Sequence, residues 1–264
     1  MSLLRFVPRF LALLLHLLGG LLLVGIVYPF IGPAARGRLN RRWSRGVLRI
    51  CGVRLTVEGE PVAAGPILQV ANHVSWLDIF VMNAVRPSAF VAKREIRNWP
   101  LVGWLVAGAG TVFIERGQRH AMQAVAQIMQ TRFARGEALT LFPEGTTSGG
   151  MSLLPFHTGL FESARLTGVT IQPVALRYLR DGRRDPYAAF IGDETLVANL
   201  WRVLSVSGLA VEVAYAPPLP ARDAAGELLS RAALSRNARE AIAARLGQGV
   251  GEDFPEAAAA ATPR

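Results

Sequence analysis

Cysteine is nearly absent: Cys51 stands alone in 264 residues. One thiol excludes an internal disulfide and a cysteine metal cluster. Its apolar neighbours Val47, Leu48 and Ile50 make it core filling. No metal and no cofactor are expected. Lysine is almost as scarce, since only Lys93 among the 29 basic residues is not an arginine. Acidic residues are missing from the start of the chain, where nine arginines (Arg5, Arg9, Arg36, Arg38, Arg41, Arg42, Arg45, Arg49 and Arg54) precede Glu58. A Gly-x-Ser-x-Gly elbow is also missing, which removes the nucleophile of an α/β-hydrolase. No serine, cysteine or lysine elsewhere has the setting of an activated nucleophile.

What is present starts with apolar residues. Hydrophobic residues make up 51% of the chain and the mean hydropathy is +0.30. Much of that excess lies between Phe10 and Ala35, a stretch without one charged residue. About 20 apolar residues suffice to cross a bilayer core of roughly 30 Å. A signal peptide has a shorter apolar core, usually about 7–15 residues, so residues 1–35 read as a retained membrane anchor. Gly19, Gly20, Gly25 and Pro29 weaken a straight span and leave an interfacial or re-entrant helix open; Pro29 and Pro33 should end or kink it. More positive charge follows the run than precedes it, which keeps the domain after it in the cytosol.

The net charge of +10 and pI near 11.1 make nucleic acid the obvious rival partner. Because the basic cluster abuts the apolar run, anionic membrane lipids are expected instead, and no nucleic acid. Residues 36–52 read as a basic amphipathic helix on the membrane surface, with Leu39 to Cys51 its clearest part. A catalytic domain over residues 53–246 fits the usual domain size. The Gly-, Ala- and Pro-rich residues 247–264 read as a loose tail.

Within the domain, strands are expected at Arg54–Glu58, Pro66–Ala71, Ser88–Ala92, Thr111–Ile114, Ala138–Phe142, Thr170–Arg177 and Ala210–Tyr215. Helices are expected at Ser75–Val85, Trp99–Ala107, Arg119–Ala134, Gly159–Leu166, Thr195–Val206 and Ala224–Leu246. Strands alternating with helices predict an α/β fold with a mostly parallel, helix-flanked sheet.

The most informative stretch is Asn72-His73-Val74-Ser75-Trp76-Leu77-Asp78, where a buried-looking strand should turn into a helix. Five residues of regular helix advance about 500°, which would leave His73 and Asp78 roughly 140° apart. They meet if His73 lies in the loop and Asp78 in the first helical turn. Ser75 is then the N-cap and Asp78 its N3 partner, close to a capping box; helix capping is also the bland reading of both residues. A histidine held by a carboxylate takes a proton from a hydroxyl at neutral pH. His16 lies inside the apolar run, His120 opens a polar helix end, and His157 is a weaker candidate for reaching a substrate.

Asn72-His73 with Asp78, followed by Phe142-Pro-Glu-Gly-Thr146, resembles the glycerolipid acyltransferase family. Lys93-x2-Ile96-x3-Pro100-x2-Gly103, Gly110-Thr-Val-Phe-Ile-Glu-Arg116 and Ile171-Gln-Pro-Val174 extend the resemblance over about residues 65–180, with all four family motifs in order. It implies that His73 is the general base and Asp78 its orienting partner, with Asn72 and Ser75 in support. It places Arg116 on the acceptor's phosphate, has Glu144, Gly145 and Thr146 shape the acceptor pocket, and sets Lys93 near the thioester oxyanion. The implied reaction moves a fatty acyl group from acyl carrier protein or a coenzyme A thioester to a lysolipid hydroxyl, foremost that of 1-acylglycerol-3-phosphate, at a bacterial inner membrane. Two positions depart from the pattern: Thr147 where many members carry arginine after Glu-Gly-Thr, and His157 where a basic residue is common. The Glu-Gly-Thr-Thr variant is similar to that of relatives acylating lyso-ornithine lipid, which makes that acceptor the alternative. A thioesterase and a non-enzymatic membrane-tethered adaptor are the more distant rivals.

Overall fold

The computed structural model describes residues 2–99, 102–108, 110–114 and 119–247. The chain opens with α1 (Ser2–Leu22), which runs on through a π-helical turn (Leu23–Val27) and a 3-10 turn (Tyr28–Phe30). Pro33 then starts α2 (Pro33–Cys51). Proline suits that place because the first N–H groups of a helix have no intrahelical acceptor. At its far end Gly52 takes φ +71, and Val53 donates back to the Leu48 carbonyl at 2.9 Å, which closes the helix with a left-handed turn.

These two helices form a hairpin packed at close range. His16 Nε2 meets the Trp43 carbonyl at 2.9 Å, Trp43 Nε1–H donates to the His16 carbonyl at 3.1 Å, and the two rings stack. Glycine makes this approach possible: a Cβ at Gly46 would lie 2.5 Å from the His16 ring. Further along α1, Arg9 donates to the Leu204 and Val206 carbonyls, and Phe6 packs on Trp201. One face of α1 is therefore docked on the domain. Its opposite face leaves Leu4, Val7, Leu11, Leu14, Leu15, Leu18 and Leu22 exposed.

The sheet runs in the order β1 (Arg54–Glu58), β8 (Leu209–Tyr215), β6 (Ile171–Arg180), β2 (Ile67–Ala71), β5 (Ala138–Leu141), β3 (Ala89–Lys93), β4 (Val112–Ile114), with β7 (Arg183–Arg184) folded back on β6. All pairings along this path are parallel except β6 with β8. Every residue of β2 is buried, as the near-continuous apolar run of a central parallel strand requires. Helices cover both faces. On one side α2, α3 (Asp78–Val85) and α7 (Leu196–Ser205) bring Val47, Val81, Met82 and Val203 into the core. On the other, α5 (Arg119–Ala134), α6 (Glu162–Thr167) and α8 (Arg231–Leu246) bring Met129, Phe133, Ala164 and Ile242. The α/β fold expected from alternating elements is the one observed.

From β2 the chain crosses over β5 to reach β3, whereas from β5 it returns past β2 to reach β6. Parallel neighbours whose connections leave in opposite directions open a crevice at their carboxyl ends, the usual ligand site of an open α/β sheet. His73 follows β2 and Glu144 follows β5, so both stand at that crevice.

Several expected boundaries shift, among them the strand expected to end at Arg177, which runs on to Arg180, and the basic helix expected from residue 36, which starts at Pro33. The helix expected from Ser75 starts at Asp78, because Val74 and Ser75 give their N–H groups to the Asp78 side chain. The helix expected from Gly159 begins as a 3-10 turn (Thr158–Phe161) before α6. The last helix starts at Arg231, capped by the Ser230 hydroxyl on Ala233 N–H, not at Ala224. Residues 223–227 form instead a turn in which Asp223 Oδ1 accepts from Ala225 and Glu227 N–H. A short helix α4 (Val102–Gly108) follows the Arg94–Asn98 3-10 turn. Of the expected tail, all but Gly247 lies outside the described residues.

Candidate active site

His73 and Asp78 meet: His73 Nδ1 is 2.7 Å from Asp78 Oδ2. The same oxygen accepts from Val74 N–H at 2.7 Å and Ser75 N–H at 3.0 Å. Asp78 sits in the first turn of α3, where the helix dipole favours a negative charge. Half of the expected capping box forms, the carboxylate reaching back to Ser75 N–H. The other half does not, since the Ser75 hydroxyl accepts from Leu77 N–H at 3.4 Å. Asp78 is fully buried, while the His73 side chain keeps 21% of its surface exposed. With Nδ1 donating to the carboxylate, Nε2 carries the lone pair, and it has no partner among the described residues.

The imidazole is fixed from below as well. It stacks on Phe142 with centroids 4.2 Å apart and planes 13° from parallel, and Phe142 stacks in turn on Phe90. Phe142 thus has a use of its own in the Phe-Pro-Glu-Gly segment, as a platform limiting ring rotation. Asn72 is turned away from the crevice. Its amide donates to the Leu176 carbonyl at 3.0 Å and accepts from Leu176 N–H at 2.7 Å, which extends the β2–β6 ladder by one side chain.

The Phe142–Gly145 segment is a tight turn closed by Gly145 N–H on the Phe142 carbonyl at 3.1 Å; Gly145 has φ +73, a conformation that favours glycine. Glu144 is 96% removed from solvent, with 4% exposed. Oε1 accepts from His73 N–H at 2.7 Å, and Oε2 accepts from Leu154 N–H at 3.0 Å. Both oxygens are thus taken by backbone donors, so the carboxylate braces the His73 loop against residues 144–154. Ser148 N–H adds a bond to the His73 carbonyl at 2.8 Å. Thr146 is exposed at the tip of the turn. Thr147 points the other way and donates to the Phe190 carbonyl. His157 is exposed and its N–H donates to the Pro143 carbonyl at 2.9 Å.

Lys93 closes β3, but its side chain lies outside the described residues, as does the whole of Arg116. Sequence reasoning passed over Tyr178, whose hydroxyl donates to Asp78 Oδ1 at 2.6 Å. Among the described residues no cluster of histidine, cysteine and carboxylate groups could hold a metal.

A part-exposed imidazole oriented by a buried carboxylate, with no activated nucleophile beside it among the described residues, can abstract a proton from an incoming alcohol. The acyltransferase family model matches residues 54–177. The chain is 42% identical over 207 residues to a lyso-ornithine lipid O-acyltransferase of Pseudomonas aeruginosa, covering 78% of each protein. It belongs to the acyltransferase family. A 1-acyl-sn-glycerol-3-phosphate acyltransferase of Neisseria meningitidis serogroup B is 41% identical over 186 residues, 69% of this chain and 72% of the relative. The crystal structure of the 1-acyl-sn-glycerophosphate acyltransferase from Thermotoga maritima shares the fold, with a TM-score of 0.68 at 21% identity over 93% of this chain and 95% of that one. The acyltransferase thus has its family's fold, and the His73–Asp78 pair lies inside the segment matched by the family model.

Burial pushes the Glu144 carboxyl up to about 7, against the opposing pull of the Leu154 and His73 N–H groups, the His73 charge and the Ser148 hydroxyl. Between its ordinary value of 4.5 and about 7 the folded chain keeps a proton that the unfolded chain has released. Stability therefore falls as pH rises through that window. Across it the loss amounts to about 3 kcal/mol at most. Glu144→Gln removes the ionisation, so thermal melts between pH 4.5 and 7 should flatten relative to the parent. A variant with an equally steep slope would show that Glu144 is ionised throughout that window.

Proposed function

We propose that this acyltransferase moves a fatty acyl group from a thioester, on acyl carrier protein or coenzyme A, to the free hydroxyl of a lysolipid. The observation that carries the reading is the His73 Nδ1–Asp78 bond, which leaves Nε2 without a partner among the described residues at the carboxyl ends of β2 and β5. Nε2 takes the hydroxyl proton while the alcohol oxygen attacks the thioester carbonyl. The tetrahedral oxyanion collapses, the C–S bond breaks, and His73 returns the proton to the leaving sulfur. A thioester is electrophilic enough for this to need a base and an oxyanion partner but no covalent enzyme intermediate. We assign the oxyanion to Lys93, the acceptor's phosphate to the planar fork of Arg116, and the acceptor rim to Gly145 and Thr146. Glu144 acts on the acceptor through the shape of the turn it braces.

The relatives' names support a lysolipid acceptor of two kinds. 1-Acylglycerol-3-phosphate is the first reading, from the four ordered motifs. Thr147 favours lyso-ornithine lipid as the second, since a neutral hydroxyl tied to the Phe190 carbonyl stands where many family members carry arginine. His73→Ala should lower turnover by roughly 10²- to 10⁴-fold with unchanged folding. Substantial residual activity would reject the base assignment, and release of free fatty acid without any lysolipid would favour a thioesterase. With each acceptor offered separately, Arg116→Ala should raise KM for the phosphomonoester far more than for the zwitterion. Equal losses on both would remove Arg116 from the phosphate.

We further infer attachment to the cytoplasmic face of a bacterial inner membrane through residues 1–52. The run Ser2–Phe30 is long and apolar enough to cross a bilayer, its most apolar 18 residues having mean hydropathy 2.6. Its docking on α2 and α7 supports a helix lying in one leaflet, with the Leu11–Leu15–Leu18 face in the acyl layer. On α2, Arg38, Arg41, Arg42 and Arg49 fall within a stripe about 100° wide, turned from the buried Val47 and Cys51 and suited to lipid phosphates, while Arg45 in the same stripe gives its Nε–H to the Ala84 carbonyl at 2.9 Å. Residues 53–246 are assigned the acyl transfer and 247–264 a tail. Replacing Leu11 and Leu15 together by Glu should weaken partition onto anionic vesicles by roughly 10-fold or more. Unchanged vesicle binding in a folded variant would overturn this placement.

A further inference from the structure

The Asp78 carboxylate divides its work unequally between its two oxygens. Oδ2 receives His73 Nδ1, Val74 N–H and Ser75 N–H. Oδ1 receives one donor among the described residues, the Tyr178 hydroxyl at 2.6 Å. Tyr178 lies on β6, the neighbour of β2, and its ring is buried in the same apolar cluster as Val47, Cys51 and Leu77. Burial and the adjacent Asp78 carboxylate hold the phenol well above its ordinary range. It therefore keeps its proton and acts as a donor at any pH at which the enzyme works.

We infer that Tyr178 is a positioning residue of the acyl-transfer site, its hydroxyl setting through Asp78 how strongly His73 holds a proton. This rests on the reading of His73 as the base. A short bond from a neutral phenol draws negative charge toward Oδ1 and away from Oδ2, the oxygen that faces the imidazole. The carboxylate then orients His73 without over-stabilising the imidazolium. That is the balance a base needs, since it must be free of its proton before each turnover and give it up to the leaving thiolate after. Other charged and titratable groups near the pair are Glu144, whose Oε1 sits on His73 N–H, and Cys51, which packs beside Tyr178. Neither bonds to Oδ1.

Tyr178→Phe removes one hydroxyl and keeps the ring. Charge then concentrates on Oδ2, the imidazolium is held more tightly, and the acid limb of kcat/KM moves to higher pH by roughly half a unit or more. On the acid limb turnover should fall by up to about 3-fold for a half-unit shift, with KM for both substrates little changed. Tyr215→Phe is the matched control, a second buried tyrosine of the same cluster whose hydroxyl lies 3.5 Å from Gln69 Oε1 and does not touch the pair. It should leave the acid limb where it is. A limb that stays put in Tyr178→Phe, or that moves equally in Tyr215→Phe, would reduce Tyr178 to packing. His73→Ala measured alongside separates the two failures: an inactive His73→Ala with a parent-like Tyr178→Phe sinks this inference alone, whereas an active His73→Ala sinks the base assignment beneath it.

Discussion

The Asp78 carboxylate is closed off from water, and four donors converge on it: an imidazole, two backbone N–H groups and a phenol. A charge taken out of water is tolerated only where hydrogen bonds replace its hydration. The loop after β2 therefore has little choice of shape. It must wrap its N–H groups round one oxygen, and that wrapping presents the His73 ring to the crevice at a fixed angle. Phe142 then fills the space under the ring, and Glu144 pins the His73 N–H from the other strand. Stability and chemistry share the same bonds, so the site is rigid because it is buried.

Sheet topology explains how two motifs some 70 residues apart come to share a crevice. β2 and β5 pair in parallel with Val70 opposite Leu141, so both strands end at the same edge. Their connections then leave in opposite directions and keep the crevice between them open. A third strand, β6, joins on the far side of β2. Asn72 extends that pairing by one side chain, through Leu176, and two residues further on Tyr178 reaches Asp78. The His73 end of the sheet is thus braced by three adjacent strands, and no single loop carries the geometry alone.

What could be read from sequence follows from which interactions are local. Strands β2, β5 and β8 announce themselves as short apolar runs, and α5 by its 3.6-residue spacing. His73 and Asp78 are legible because a capping residue and a loop histidine lie within five positions. Tyr178 is not, because its contact exists only once β6 lies beside β2, and strand order has no local signature. The helix α3 starts later than the residue pattern suggests for a related reason: the Asp78 side chain competes for N–H groups that a helix from Ser75 would need. For α8, Asp223 and Gly226 form a turn where helical spacing alone runs on.

Hydropathy also cannot tell a helix that crosses a bilayer from one that lies along it, and here the difference is made by what α1 touches. Its apolar residues face outward, while Arg9 reaches the carbonyl end of α7 and His16 is locked to Trp43 of α2. If α1 stood across the membrane in this docked state, it would draw α2 in beside it, and with it the stripe from Arg38 to Arg49. An arginine at the bilayer centre costs about 2.5–3.5 kcal/mol on insertion scales and more on an isolated helix. Nothing offsets that cost, because the exposed leucine face is inserted almost as well lying flat. In the flat arrangement the leucines reach the acyl layer, the arginines stay at the phosphates, and none of the bonds from α1 to α2 and α7 is broken. On this reading of α1, a lipid-borne hydroxyl would stay near the headgroup layer, at the depth of the domain itself.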